Sequence, residues 1–285
     1  MTRVVGEPAE LRQACDEARL AGRRVGLVPT MGALHAGHHS LIDAAAERAD
    51  FLVVTLFVNP MQFGPNEDLG RYPRTFDSDR QSCEQRGVDI LFAPSPQAMY
   101  PAGFQSRVLV ESLTQPLEGQ FRPEHFAGVT TVVSKLFNLS GPCVAMFGRK
   151  DYQQWKVLER MARDLDMPVE LIGCPIVRES DGLALSSRNR YLSEEERERA
   201  LGIVTGLRHA HDGWSAGERD RDALRAMAEA PVRERFDHID YVAAVDPDSL
   251  QETAEPGTRL LIAVAAQLGR TRLIDNVVLG EESRP

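Results

Sequence analysis

The sequence predicts an α/β protein, a doubly wound parallel sheet followed by a smaller C-terminal α+β domain. Three observations carry that reading. Short apolar runs alternate with helical patterns from residue 25 onward, the order that builds a parallel sheet. One of them, Phe51-Leu52-Val53-Val54-Thr55-Leu56-Phe57-Val58, is apolar almost throughout, as a strand covered on both faces must be. Past Val177 the order changes to two helical patterns and then three strand-like runs. The boundary is therefore set there, giving domains 1–177 and 178–285.

Taken in order, residues 10–20 form an amphipathic helix with Leu11, Ala14, Cys15 and Ala18 inward, ended by Gly22. Residues 25–28 read as a buried strand, and Pro29, lacking an N–H for a central ladder, is expected to stop it. After a small-residue turn, Leu41, Ile42, Ala45, Ala46 and Ala49 recur at helical spacing up to Asp50. With the strand at 51–58 this makes a right-handed strand–helix–strand crossover. Residues 59–68 form a polar, Pro/Gly-punctuated loop at the carboxyl end of the second strand, the edge where ligands of open α/β sheets collect. A helix over 77–85 and a strand over 88–93 come next. Residues 94–128 are loop-rich, with Val108-Leu109-Val110 as a candidate strand. A helix over 130–139, a strand over 143–148, a helix over 152–165 and a strand over 169–172 complete the sheet. In the second domain, Ser193-Glu194-Glu195-Glu196 opens a helix with a capping box, running through Arg208 with a solvated charged face. Another helix spans 219–230. Strands follow over 238–245, 260–266 and 273–279, the last two joined by Gly269-Arg270-Thr271-Arg272.

The 285 residues are 42% hydrophobic and 26% charged, ordinary for a globular enzyme with ample core. A net charge of −9 gives no basic footprint for nucleic acid, so an anionic substrate must be met by local positive charge. The four cysteines, Cys15, Cys83, Cys143 and Cys174, are scattered and read as reduced thiols of a cytosolic protein. No secretory leader is visible, and no run approaches the roughly 20 apolar residues of a membrane span. A cytoplasmic protein without nucleic-acid or membrane partners is expected.

Chemistry concentrates at the turn after the strand at 25–28. His35 and His38 stand three apart where the helix begins, so helical geometry turns them the same way. A helix N-terminus offers unpaired N–H groups and a positive dipole end to phosphate. Gly32 and Gly37 let the backbone approach a ligand. Two imidazoles there can donate hydrogen bonds to phosphate oxygens as charge develops, the help that nucleotidyl transfer needs. A His-x-x-His pair also arises as a metal pair or as ordinary surface histidines; the strand–proline–turn–helix context favours phosphate.

Three further clusters fall at strand ends or loops. Asn59 with Gln62 suits hydroxyl, carboxylate or amide groups, although for Asn59 alone turn-making is the better reading. Gly148-Arg149-Lys150-Asp151 with Gln154 places a point charge, Lys150, where phosphate could sit; Asp151 also reads as a helix N-cap. Leu185-Ser186-Ser187-Arg188-Asn189-Arg190 combines hydroxyls with an arginine able to hold two phosphate oxygens. There is no nucleophile elbow, P-loop or zinc spacing. His125, His209, His211 and His238 lie apart, and Trp155 and Trp214 read as packing residues.

These residues resemble the pantothenate synthetase family, the pantoate–β-alanine ligases of the HIGH-type nucleotidylyltransferase superfamily. The resemblance lies in Pro29-Thr30-Met31-Gly32-Ala33-Leu34-His35-Ala36-Gly37-His38 and in the loop Phe57 to Asp68, which includes Asn59-Pro60-Met61-Gln62-Phe63-Gly64. It continues through Tyr72-Pro73-Arg74-Thr75, Arg122-Pro123-Glu124-His125-Phe126-Ala127-Gly128-Val129 and Lys150-Asp151-Tyr152-Gln153-Gln154. Arg178-Glu179-Ser180-Asp181-Gly182-Leu183-Ala184-Leu185-Ser186-Ser187-Arg188-Asn189 and Asp240-Tyr241-Val242 extend it over nearly the whole chain. The family commonly has glutamate where this chain has Arg149, which puts any role of that glutamate in doubt; Ser180 and Leu185 are mild variants.

The resemblance implies a Rossmann-like fold and a two-step ligation. ATP and pantoate would give a bound pantoyl adenylate and pyrophosphate, and β-alanine would then attack the acyl carbon to give AMP and pantothenate, a coenzyme A precursor. Adenylation turns a poor acyl donor into a good one, and the mixed anhydride must be kept from water. Carried over, Pro29, Met31, Gly32, Ala33, Leu34, His35, Ala36, Gly37, His38, Gly148, Arg149, Lys150, Asp151, Val177, Leu185, Ser186, Ser187 and Arg188 would line the ATP site. His35, His38, Lys150 and Arg188 would be catalytic, with His38 the proton donor. Gln62 and Gln154 would hold pantoate, with Asn59 and Met31 beside them, and Gln62 would also meet β-alanine. Mg²⁺ would accompany ATP, with Asp79 as a candidate ligand. A homodimer with the C-terminal domain as a lid is the implied assembly.

Two other readings keep a place. Another HIGH-type adenylate former, such as an aminoacyl-tRNA synthetase fragment or a phosphate-targeting nucleotidylyltransferase, would differ in the substrate that stimulates pyrophosphate exchange. A non-catalytic nucleotide sensor has the basic and imidazole groups against it.

Overall fold

A computed structural model describes residues 1–65, 67–253 and 257–285. Asn66, within the 57–68 loop motif, lies outside the described residues. The chain divides into two compact units. The first comprises Met1–Thr114, Arg122–Arg149 and Gln154–Pro175, and the second Gln115–Phe121, Lys150–Gln153 and Ile176–Pro285.

The elements run β1 (Arg3–Val5), α1 (Pro8–Leu20), β2 (Val25–Thr30), α2 (Ala36–Ala46), β3 (Phe51–Leu56), α3 (Phe76–Gln85), β4 (Ile90–Phe92) and α4 (Pro96–Met99). Next come α5 (Glu118–Phe121), α6 (His125–Ser140), β5 (Cys143–Gly148), α7 (Tyr152–Asp164) and β6 (Val169–Cys174). The last are α8 (Glu194–Ser215), α9 (Arg221–Arg235), β7 (His238–Val245), β8 (Leu260–Leu268) and β9 (Thr271–Leu279).

The first unit is built on a six-stranded sheet in the order β1-β4-β3-β2-β5-β6, with every pairing parallel. This is the Rossmann-like sheet expected. Alternate strand residues point to opposite faces, and both faces are covered. Leu27, Val53 and Ala145 join α1 and α6 in one core, while Val28, Val54 and Met146 join α2 in another. From β2 the chain winds one way through β3 and β4, then returns to the other side at β5. The topological switch point therefore lies between β2 and β5, outside whose carboxyl ends ligands bind in such sheets.

Several boundaries differ from expectation for physical reasons. Pro29 does not end β2 but pairs with Thr55 inside it. Pairing with β5 covers only Gly26–Val144 and Leu27–Ala145, so no ladder bond is lost on that side at Pro29. The edge strand β1, three residues long, is too short to show a periodic pattern. Val108 to Val110 is not a strand. Its backbone is tied instead to α6, where Thr130 Oγ1 donates to Val108 O (2.6 Å) and Thr131 Oγ1 accepts from Val108 N (3.1 Å). α9 continues past Ala230 through Pro231, because Pro231 and Val232 are buried.

The second unit packs α8 and α9 on the antiparallel sheet β7-β8-β9. Its core holds Leu207 and Trp214 of α8, Leu224 and Val232 of α9, and Ile262 and Val277 of the sheet. A Cβ at Gly206 would run into the Ala228 carbonyl, so glycine lets the two helices approach closely.

Buried polar bonds explain why two short segments travel with this unit. The Glu118 carboxylate accepts two N–H bonds from Arg272 (2.7 and 2.8 Å) and the Tyr241 hydroxyl (2.8 Å). Gln153 accepts from Glu118 N (3.0 Å) and donates to Pro116 O (2.7 Å). Asn276 Nδ2 donates to Lys150 O (2.9 Å). No described helix is long and apolar enough to cross a membrane.

Candidate active site

The turn after β2 is built around one carboxylate. Thr30 Oγ1 donates to Thr55 O (2.6 Å) and accepts from Gly32 N (3.1 Å), bending the chain as it leaves the sheet. Gly32 (φ 84°) and Ala33 (φ 53°) are both left-handed. For alanine that conformation costs roughly 1–2 kcal/mol, so the surroundings must hold it. Buried Asp79, on α3, accepts Ala33 N at Oδ2 and Leu34 N at Oδ1, both at 2.9 Å. Thr75 Oγ1 donates to the same carboxylate (3.0 Å).

The chain then enters α2 with His35 as N-cap and His38 on the first helical turn. Gly37 N donates to His35 Nδ1 (3.2 Å), and His35 N donates to His38 Nδ1 (3.4 Å). A ring nitrogen that accepts is unprotonated, so each neutral imidazole carries its proton on Nε2. The ring centroids are 4.1 Å apart, which places two N–H donors side by side at a helix N-terminus.

Asn59 and Gln62 occupy the turn after β3. Buried Asn59 spends its whole amide on the protein. Nδ2 donates to Gln62 Oε1 and to Gly128 O, each at 3.1 Å, and Oδ1 accepts from Met61 N (3.2 Å) and the Tyr100 hydroxyl (2.8 Å). These bonds fix Asn59 and let it orient Gln62, whose Oε1 accepts from Asn59 Nδ2. Gln62 Nε2 in turn points at Met31 Sδ (3.1 Å). A Cβ at Gly128 would run into the Met61 carbonyl, so only glycine lets α6 sit this close.

His125, which showed no partner in sequence, meets the Gln62 carbonyl through Nδ1 (2.9 Å). Arg122 binds Glu67 through two 2.7 Å bonds. Burial alone would raise the Glu67 pKa, but the hydrogen bonds and charge of Arg122 outweigh it and hold the carboxyl below its ordinary value. A carboxylate lowered in the folded state adds stability above its unfolded pKa, about 4.3, and that stability is lost as pH falls through the folded value. Arg122→Gln should therefore lower the denaturant midpoint at pH 7 and converge with the parent chain toward pH 3. A difference that stays constant with pH would contradict this.

In the second unit, residues 177–185 fold back on themselves. Leu185 N donates to Val177 O (3.0 Å) and Glu179 N to Leu183 O (2.8 Å), with Gly182 left-handed (φ 98°) in the turn. The Ser-Ser-Arg loop leads directly from this arm. Ser186 Oγ caps it by accepting Arg188 N (3.2 Å), which leaves the hydroxyl proton to donate elsewhere. Below it, Glu179 accepts from Asn189 (3.0 Å) and from Arg197 (3.2 and 2.8 Å). Arg178 is held by Asp275 through two bonds (2.6 and 3.1 Å). Lys150, half-buried, belongs to this unit too.

Arg149 and Gln154 belong to the first unit. The Arg149 guanidinium lies 5.1 Å from the centre of the Trp155 ring, and its Nε donates to Gly173 O (3.1 Å). Gln154 is half-buried on the first turn of α7, and Asp151 is exposed just before it.

Asp79, the candidate metal ligand, is a buried carboxylate that already serves the fold. Its oxygens are committed to Ala33, Leu34 and Thr75. Among the described residues, no group of three or more His, Cys, Asp or Glu is placed to hold a metal ion.

The family model for pantoate-beta-alanine ligase matches residues 3–278. A pantothenate synthetase of Geotalea uraniireducens is 51% identical over 96% of this chain and 97% of its own length. Pantothenate synthetase 1 of Bradyrhizobium diazoefficiens is 52% identical over 97% of this chain and 98% of its own. The crystal structure of pantothenate synthetase from Thermus thermophilus superposes with a TM-score of 0.92 at 45% identity, covering 97% of this chain and 99% of that one. That of pantoate-beta-alanine ligase from Francisella tularensis, complexed with beta-gamma ATP and beta-alanine, does so at 0.82 and 32% identity, covering 100% of both. The parallel sheet, the paired imidazoles after β2 and these full-length likenesses agree: the chain belongs to the pantoate–β-alanine ligase family.

Proposed function

We propose that this chain joins pantoate to β-alanine at the expense of ATP, through a pantoyl adenylate. The observation that carries the reading is the pair of Nε2 donors of His35 and His38 at the N-terminus of α2. As a carboxylate oxygen of pantoate attacks the α-phosphorus, the bond to the bridging oxygen breaks and negative charge builds on the departing pyrophosphate. Hydrogen bonds and a helix N-terminus fixed in advance stabilise that charge without reorganising. Lys150, Ser186, Ser187 and Arg188 supply the remaining cationic and hydroxyl contacts to the triphosphate. Gln62, oriented by Asn59, takes pantoate together with Gln154 and Met31, and then β-alanine. The amine of β-alanine attacks the acyl carbon, AMP leaves, and the amide of pantothenate remains.

Mg²⁺ would accompany the ATP phosphates, the usual way this ion is held. A cytoplasmic homodimer is the assembly we propose. The four buried, unlinked cysteines fit a reducing compartment, and the family's habit supports the dimer.

The test is to mix the protein with ATP, Mg²⁺, pantoate and β-alanine. AMP and pantothenate should form in equal amounts and only when both acids are present. Formation of ADP, or ATP turnover indifferent to pantoate, would overturn the reading.

A further inference from the structure

We infer that Asp79 is a positioning residue for adenylation, holding the left-handed turn that aims the two imidazoles, and is not a ligand of the metal. The inference rests on the function proposed above, but the geometry behind it does not. Two consecutive backbone N–H groups, of Ala33 and Leu34, each meet a different oxygen of the one carboxylate at 2.9 Å. Only a group with an acceptor on both arms can do this. Asparagine would keep one bond and turn an NH₂ toward the other N–H. Thr75 Oγ1 donates to Oδ2 as well (3.0 Å), helping to fix the rotation of the carboxylate.

Glycine at 32 completes the fit. A Cβ there would stand 3.1 Å from Asp79 Oδ2, tighter than ordinary contact, on a backbone already at φ 84°. Immediately after this clamp, His35 caps α2. The clamp therefore sets where both Nε2 atoms point, through the backbone of Ala33 and Leu34. Displacing groups of this kind by about 1 Å costs on the order of 10²-fold in rate.

Asp79→Asn separates the possibilities, with Asp79→Glu as a second variant that keeps the charge and the two acceptors. Hydrogen exchange over residues 31–40 should speed up in Asp79→Asn while the rest of the first unit keeps its protection. In steady state, kcat should fall about 10²-fold, with the Mg²⁺ concentration for half-activation unchanged and no rescue by excess Mg²⁺. Asp79→Glu should recover part of kcat. An altered Mg²⁺ requirement, or rescue by excess Mg²⁺, would make Asp79 a ligand and overturn the inference. So would unchanged exchange at 31–40, or loss of protection throughout the first unit with full activity per folded molecule. The exchange measurement needs no substrate, so it judges the clamp even if the parent chain fails to make pantothenate, a failure that would count against the proposed function alone.

Discussion

His38→Ala is expected to slow formation of the adenylate by about 10²-fold or more, the scale of one charge-stabilising or proton-donating group. His38 stands on the first turn of α2, and its Nδ1 accepts the His35 N–H at 3.4 Å, so the proton of the neutral ring sits on Nε2. Alanine removes that donor and also frees the His35 backbone. The two losses can be told apart. An interaction made mainly as charge develops lowers kcat and kcat/KM together, while one made equally with bound ATP raises KM alone. Quenched single turnovers with ATP and pantoate should show the first pattern. Full activity in this variant would remove His38 from the chemistry.

Glu118→Ala should have the largest effect on stability, about 3 kcal/mol, because it removes two charge-assisted bonds from Arg272, leaving that cation with Asp240 alone, and takes the acceptor from the buried Tyr241 hydroxyl. Glu118 is 7% exposed and receives two bonds from Arg272 and one from Tyr241. Burial by itself would lower the Arg272 pKa, but the hydrogen bonds and charge of Glu118, with those of Asp240, override it and raise it instead. The loss should be confined to the second unit. Trp214 lies in that unit's core and Trp155 packs on the first unit's. A Trp155→Phe background therefore reads the second unit by fluorescence. Its denaturant midpoint should fall while far-UV signals from the parallel sheet persist to higher denaturant. Equal loss in both units would contradict the assignment of residues 115–121 to the second.

The sheet was legible because its strands are covered on both faces and read as apolar runs, as at residues 51–58. The paired imidazoles were legible because both lie within one turn of chain. What stayed hidden depends on distant partners. The bonds of Asp79 are one case: nothing in residues 76–85 reveals that its oxygens face Ala33 and Leu34, 46 and 45 positions away. Asn59 read as a turn-maker, and its further bonds to Tyr100 and Gly128, 41 and 69 positions away, carry no local sign. Pro29 misled in the opposite direction, because its cost depends on whether a neighbouring strand reaches that far. The segments 115–121 and 150–153 carry no local sign of their unit, which Arg272, Gln153 and Asn276 decide.

Chemistry at the paired imidazoles requires a reversible first half-reaction in which pantoate takes the adenylyl group with no amine present. Labelled pyrophosphate should exchange into ATP when pantoate and Mg²⁺ are supplied and β-alanine is withheld. Exchange driven by an amino acid instead, or none until β-alanine is added, would contradict it.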